Sequence, residues 1–185
     1  NAISGQQYAD FGTTNLQGAS LFMGVVGQQM AVARGGMGGG SRQALAQACE
    51  VEACEGLSPW NAWASALGGL GAVAGNGNSS TLTYNFGGGA AGIDYRLDPR
   101  LLLGFGAGYA AGNQWVDSFM GRGWSDTVSA TVYGSFAHQD FYADALVGYA
   151  YSGNQMQRQI VVPGLQPRTA SGSAGANQFF GQIES

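Results

Sequence analysis

Between residues 101 and 112 the chain alternates large with small and offers no polar side. Leu101, Leu103, Phe105, Ala107, Tyr109 and Ala111 share one parity; Gly104, Gly106, Gly108, Ala110 and Gly112 share the other. A period of two is the signature of an extended strand. A strand on an ordinary soluble sheet turns one face to a core and one, polar, to water. This one has no face for water. Its large side chains need an apolar surrounding, and its glycines need a crowded one.

Two neighbouring stretches show the same division with a wetter second face. In 125–136, Val128, Ala130, Val132 and Phe136 alternate with Ser125, Thr127, Ser129, Thr131 and Ser135. In 141–154, Phe141, Ala143, Ala145, Val147, Tyr149 and Tyr151 oppose Asp144, Gly148, Ser152 and Asn154. Aromatic residues gather at both ends of these runs, as they do at the two interfaces of a bilayer. The parity therefore predicts a lipid-facing apolar side and a small, polar inner side. The opposite assignment, a soluble β-sandwich with the apolar side as its core, is the fallback.

Composition narrows the class. Charged residues make up only 10% of the chain, the seven basic residues are all Arg, and the net charge is −4. With no basic patch, a nucleic-acid partner is not expected. No apolar run is long enough for a transmembrane helix. The opening "NAISGQQYAD" carries no signal peptide and no initial Met, so the segment reads as part of a longer precursor.

Residues 1–58 read as a linker and 59–185 as strands. Within the linker, Leu21, Phe22, Val25, Val26, Met30 and Ala33 have helical spacing, which predicts a helix over about 18–34 with Asn15 as its N-cap. Gln28, Gln29 and Arg34 make it too polar for lipid, and its small residues Gly24, Gly27, Ala31 and Ala33 are expected to pack closely on strand glycines. Six strands follow, at roughly 60–72, 81–96, 101–112, 124–137, 141–154 and 169–185. Their connections alternate between short ("LDPR", "HQD") and long, the habit of an up-and-down barrel in an outer membrane. In the second strand the apolar parity changes across Gly87–Gly89, which predicts a bulge or kink there.

Three stretches, "WASALGGLG" (63–71), "GIDYRLDPRLLLGFGAGY" (92–109) and "DFYADALVGYAYS" (140–152), resemble the β-domain of the classical autotransporters, the type V secretion translocators of Gram-negative outer membranes. The resemblance covers Trp60 to Ser185 and extends to the preceding helix. It implies a twelve-stranded barrel inserted by the barrel-assembly machinery, with a passenger N-terminal to it. The expected fold is thus all-β: an antiparallel up-and-down transmembrane β-barrel, of which this segment supplies about six strands, preceded by an α-helical linker. Because it ends at "GQIES" without a terminal aromatic residue, the segment is expected to be the first half of the barrel, truncated at its C-terminus. The resemblance also implies an integral outer-membrane location with the long loops outside, lipid around the barrel, and export and anchoring of the passenger. A small adhesin or opacity-type barrel without a passenger is the alternative.

On this reading Asp94, Arg96, Ser125, Thr127, Ser129, Thr131, Asp144, Gln182 and Glu184 face the lumen. Leu103, Phe105, Tyr109, Val128, Val132, Phe136, Val147 and Tyr149 face lipid, and Gln28, Gln29 and Arg34 form the polar side of a pore or periplasmic helix. No catalytic, cofactor or metal site is expected. His138 is the lone histidine, in a tight turn without a nucleophile motif; "GLGAVA" (69–74) lacks the following helix that a dinucleotide site needs. A membrane hydrolase would need acids or His/Ser groups at the long-loop rim, where Asp117 stands alone. Cys49 and Cys54 have no nearby His for zinc; in an oxidising periplasm a small-loop disulfide between them is favoured over two free thiols. Some autotransporters cut their passenger at an Asn–Asn dipeptide in the pore helix, and this chain has none.

Overall fold

The computed structural model describes residues 6–34, 59–75, 80–116, 121–139, 141–160, 166 and 168–185. Cys49, Cys54 and Asp117 lie outside them. Among the described residues one helix, α1 (Gln6–Ala33), precedes six strands: β1 (Trp60–Val73), β2 (Leu82–Asp98), β3 (Leu101–Val116), β4 (Gly121–His138), β5 (Phe141–Ile160) and β6 (Arg168–Glu184). All are antiparallel to their neighbours in one sheet, in sequence order. Among the described residues no helix is long and apolar enough to cross a membrane. The fold is all-β with an N-terminal helix, as a partial autotransporter barrel requires.

Alternation assigns every strand an inner and an outer side. The outer, convex side exposes Leu103, Phe105, Val128, Val132, Val147 and Tyr149. The inner, concave side carries α1, and the buried core runs along the seam: Ala19, Phe22, Val26 and Met30 from the helix against Leu67, Ala90, Leu102, Tyr133, Leu146, Ala150 and Phe180. On β5 the apolar convex run extends from Phe141 to Tyr151. At about 3.3 Å per residue and a tilt of about 40°, such a run stands about 25 Å high, the height of a barrel's apolar band.

The second strand does not kink at its glycine triplet. The β2–β3 register runs unbroken from Leu82 to Arg96, and the irregularity lies between Arg96 and Asp98, beside the short turn. Even-numbered residues face inward throughout: Leu82 and Ala90 are buried, as is Asp94. The apparent change of parity has another cause. Tyr84 and Phe86 are large residues on the concave side, while the convex positions above Gly89 are Gly87, Asn85 and Thr83. The apolar band simply ends there. Gly88 is required for a different reason: a Cβ at that position would collide with the Tyr109 carbonyl of β3.

Helix α1 also starts earlier than its hydrophobic spacing indicates, at Gln6 rather than near residue 18, so Asn15 lies inside it and is no cap. Gly24 and Gly27 do not pack on strand glycines, for a Cβ at either would meet nothing. The strand glycines have other partners. Gly92 lies under Trp63, Gly69 under Phe86, Gly71 under Tyr84, Gly104 under Tyr133 and Gly148 under Phe180, each directly opposed across two strands. The rings cover backbone that glycine leaves bare, the aromatic rescue seen in β-sheets generally. Gly104→Ala would drive a methyl into the Tyr133 ring. Overpacking of that kind costs about 1–3 kcal/mol. Denaturant unfolding of the full-length protein in detergent should read that loss. Gly87→Ala has open space at its Cβ. That variant should stay within about 0.5 kcal/mol of the parent.

Candidate functional site

The concave face holds the buried polar groups of the described strands, and α1 is its occupant. Phe11, Asn15, Ala19, Phe22, Val26 and Met30 are buried at spacings of three and four, one stripe of the helix laid against the sheet. The helix crosses from the long-connection rim to the short-turn rim. Near its start Thr14 Oγ1 donates to Gln114 Oε1 (3.2 Å) on β3. Midway, the Phe22 ring lies over Gly108 and meets Phe180 edge-on, ring centroids 5.9 Å apart. Only glycine at 108 leaves room, since a Cβ would lie 2.7 Å from the ring.

Below this point the contacts become polar, and Asp94 is their hub. Its carboxylate is almost fully buried (1% exposed). It accepts from Gln29 Nε2 on the helix (2.8 Å), from Asn61 Nδ2 on β1 (3.0 Å) and from Tyr133 Oη on β4. Tyr133 Oη in turn accepts from Trp63 Nε1 (2.6 Å). A buried carboxylate is tolerable only when hydrogen-bonded, and here three neutral donors do that work. The result ties α1 to three strands at one depth.

The last turn of the helix is fixed by charge. Arg34 pairs with Asp144 of β5, donates also toward Ser135 Oγ (3.4 Å), and lies 4.1 Å from the Tyr142 ring centroid. That is the one salt bridge among the described residues. The Arg96 guanidinium donates to the Ala33 carbonyl (2.7 Å). A cation from the sheet thus satisfies an orphan carbonyl at the negative end of the helix dipole. Tyr142 Oη donates to Glu184 Oε1 (3.0 Å) on β6.

Of the residues expected to face the lumen, Asp94, Ser125, Ser129, Thr131 and Asp144 are buried on the concave side. Thr127 joins them through a 2.8 Å hydrogen bond with Ser152. Arg96, Gln182 and Glu184 have the same parity but are exposed at the short-turn rim. Leu103, Phe105, Tyr109, Val128, Val132, Phe136, Val147 and Tyr149 are all exposed on the convex side. Gln29 and Arg34 reach the sheet; Gln28 is exposed on the flank of the helix turned from it. The hub's other members were missed. Tyr133 carried a signal, as the one aromatic among the hydroxyl residues of 125–135; Asn61 and Trp63 carried none that a single strand reveals.

What this arrangement does chemically is hold a helix in place. Among the described residues no three His, Cys, Asp or Glu side chains cluster for a metal ion. His138 is exposed at the end of β4. Asp94, Gln114 and Asp144 each make one buried polar contact that joins the helix to the wall of the sheet. No curated protein and no solved structure matches the chain. The model of the autotransporter beta-domain, however, matches residues 62–185, more than half of it, from the third residue of β1 through β6. The chain therefore belongs to the autotransporter beta-domain family, the outer-membrane β-barrel translocators of type V secretion.

Proposed function

We propose that this chain exports a passenger N-terminal to α1 and anchors it at the cell surface, with α1 as the helix that fills the pore. The carrying observation is the path of α1, which crosses the concave face from the long-connection rim, at Thr14–Gln114, to the short-turn rim, at Arg34–Asp144. The helix has 28 residues. At a rise of about 1.5 Å per residue it extends about 42 Å, longer than the apolar band is high. If the short turns are periplasmic and the long connections extracellular, a passenger joined to the helix start emerges outside. Residues 1–58 then act as linker, and 59–185 as the first half of a barrel that the assembly machinery inserts. The convex apolar residues meet lipid and the hydroxyl and carboxylate groups line the lumen. The helix is held at Thr14 and at its C-terminal end, which suits a plug left in place after export.

Cross-linking in cells tests this in the full-length protein. With Cys49 and Cys54 replaced by Ser, Phe22→Cys paired with Gly108→Cys should join efficiently through a short bis-maleimide once the barrel is folded. Phe22→Cys paired with Phe105→Cys, on the convex side, should not. The reverse pattern would remove α1 from the lumen.

A further inference from the structure

The strands do not stop where the apolar band stops. On the convex side the band closes with a belt of hydrogen-bonded tyrosines: Tyr109 Oη donates to Asp126 Oδ1 (2.6 Å) and Tyr149 Oη to Asn177 Oδ1 (2.5 Å). Beyond that belt β3, β4 and β5 continue as paired sheet, and their outward residues change character. One row across the three strands reads Asn113, Trp124, Gln155; the next reads Trp115, Arg122, Gln157. Arg122 is the only cation on the convex side of the described strands, and it has no carboxylate partner among the described residues.

We propose that this patch binds the phosphorylated sugar headgroup of an outer-leaflet glycolipid, a proposal that rests on the membrane reading above. The position argues for a lipid headgroup, because the patch continues directly from the lipid-facing band and begins where acyl chains would end. The chemistry argues for sugar and phosphate. An indole offers an apolar face to the C–H side of a sugar ring and an N–H to its hydroxyls. The three amides offer donors and acceptors together, which matches hydroxyl groups that are both. The guanidinium forms a two-pronged contact with phosphate that neutral amides cannot provide. With strands about 4.8 Å apart and rows about 7 Å apart, the footprint is about that of two sugar rings.

The test uses full-length protein folded in detergent, titrated with rough-type lipopolysaccharide or with phosphatidylglycerol and followed by native mass spectrometry. Lipopolysaccharide should bind at least about tenfold more tightly than phosphatidylglycerol; Arg122→Gln should remove about that factor, the value of one charge-assisted contact, and Trp124→Ala should weaken binding by about as much through loss of ring stacking. Arg122 is exposed, so Arg122→Gln carries the test should Trp124→Ala not fold. Equal binding of the two lipids, or variants that bind lipopolysaccharide like the parent, would overturn the proposal. A separate arm places Trp at Val132 and adds acyl-brominated lipid. Quenching there with no sugar-dependent binding sinks the patch alone; no quenching sinks the membrane reading beneath it.

Discussion

Arg34→Met should loosen the lower end of α1 by about 3–5 kcal/mol, the cost of stranding one partner of a buried ion pair. Asp144 is 3% exposed, and its carboxylate has Arg34 as its only charged partner among the described residues. Desolvation was tolerable because the guanidinium sits against it. Without that cation the carboxylate is left charged in a site closed to water, or must take up a proton. The same substitution removes the cation over Tyr142. The double variant Arg34→Met with Asp144→Leu should recover most of the loss, since replacing a buried pair by apolar groups of similar volume is often neutral. Paired spin labels on α1 and on β5 in the full-length protein would read the helix leaving the wall. A single variant as tightly docked as the parent would show that the ion pair contributes no anchorage.

The anchoring depends on more than the lower end because the helix is poorly made by its own sequence. Gly12, Gly18, Gly24 and Gly27 lie in its interior. Each costs about 0.5–1 kcal/mol relative to Ala. None is needed for close approach to the sheet, since a Cβ at each meets nothing among the described residues. An isolated helix with this composition would be marginal in water. Its stability comes from the stripe Phe11 to Met30 and from the Asp94 and Arg34 anchors. The proposed role, a passenger linker extended during export and helical afterwards, suits such a sequence, whose helix depends on a formed wall.

This also explains what could be read from the chain and what could not. The two faces of β3, β4 and β5 were legible because a period of two separates Leu103, Val132 and Val147 from Gly104, Thr131 and Gly148 without reference to any neighbour. The strand count and the alternating turns were legible for the same reason. The start of α1 was not: Gly12, Asn15 and Gly18 look like breakers, and the stripe that overrides them exists only against the sheet. The Gly–aromatic pairs and the Asp94 hub were hidden because they depend on cross-strand register, which joins Gly104 to Tyr133 and Asn61 to Asp94 across separate segments. The triplet Gly87–Gly89 misled most directly. A change of apolar parity marks a kink when the apolar face is the core, but here it marks the edge of the apolar band.

Val132→Arg should destabilise the folded barrel in a bilayer by about 2–4 kcal/mol, the cost of a cation on the lipid side at mid-depth. Val132 lies halfway along the convex run of β4 from Val128 to Phe136 and is 54% exposed, with Phe105 and Val147 beside it on the adjacent strands. Toward the rims the penalty should shrink to about 0–1 kcal/mol as the side chain reaches the headgroups. Asp126→Arg, at the outer edge of the tyrosine belt, should therefore cost far less. Depth is what separates the two explanations for an exposed apolar face. A face that packs against another protein would penalise Arg wherever it is buried, with no relation to height along the strand. A face that meets lipid would grade the penalty from Val132 outward in both directions, through Val128 and Phe136 alike. Reversible unfolding of the full-length protein in vesicles, with Arg placed in turn at 128, 132 and 136, measures that profile; a flat profile would remove the lipid assignment of the convex face.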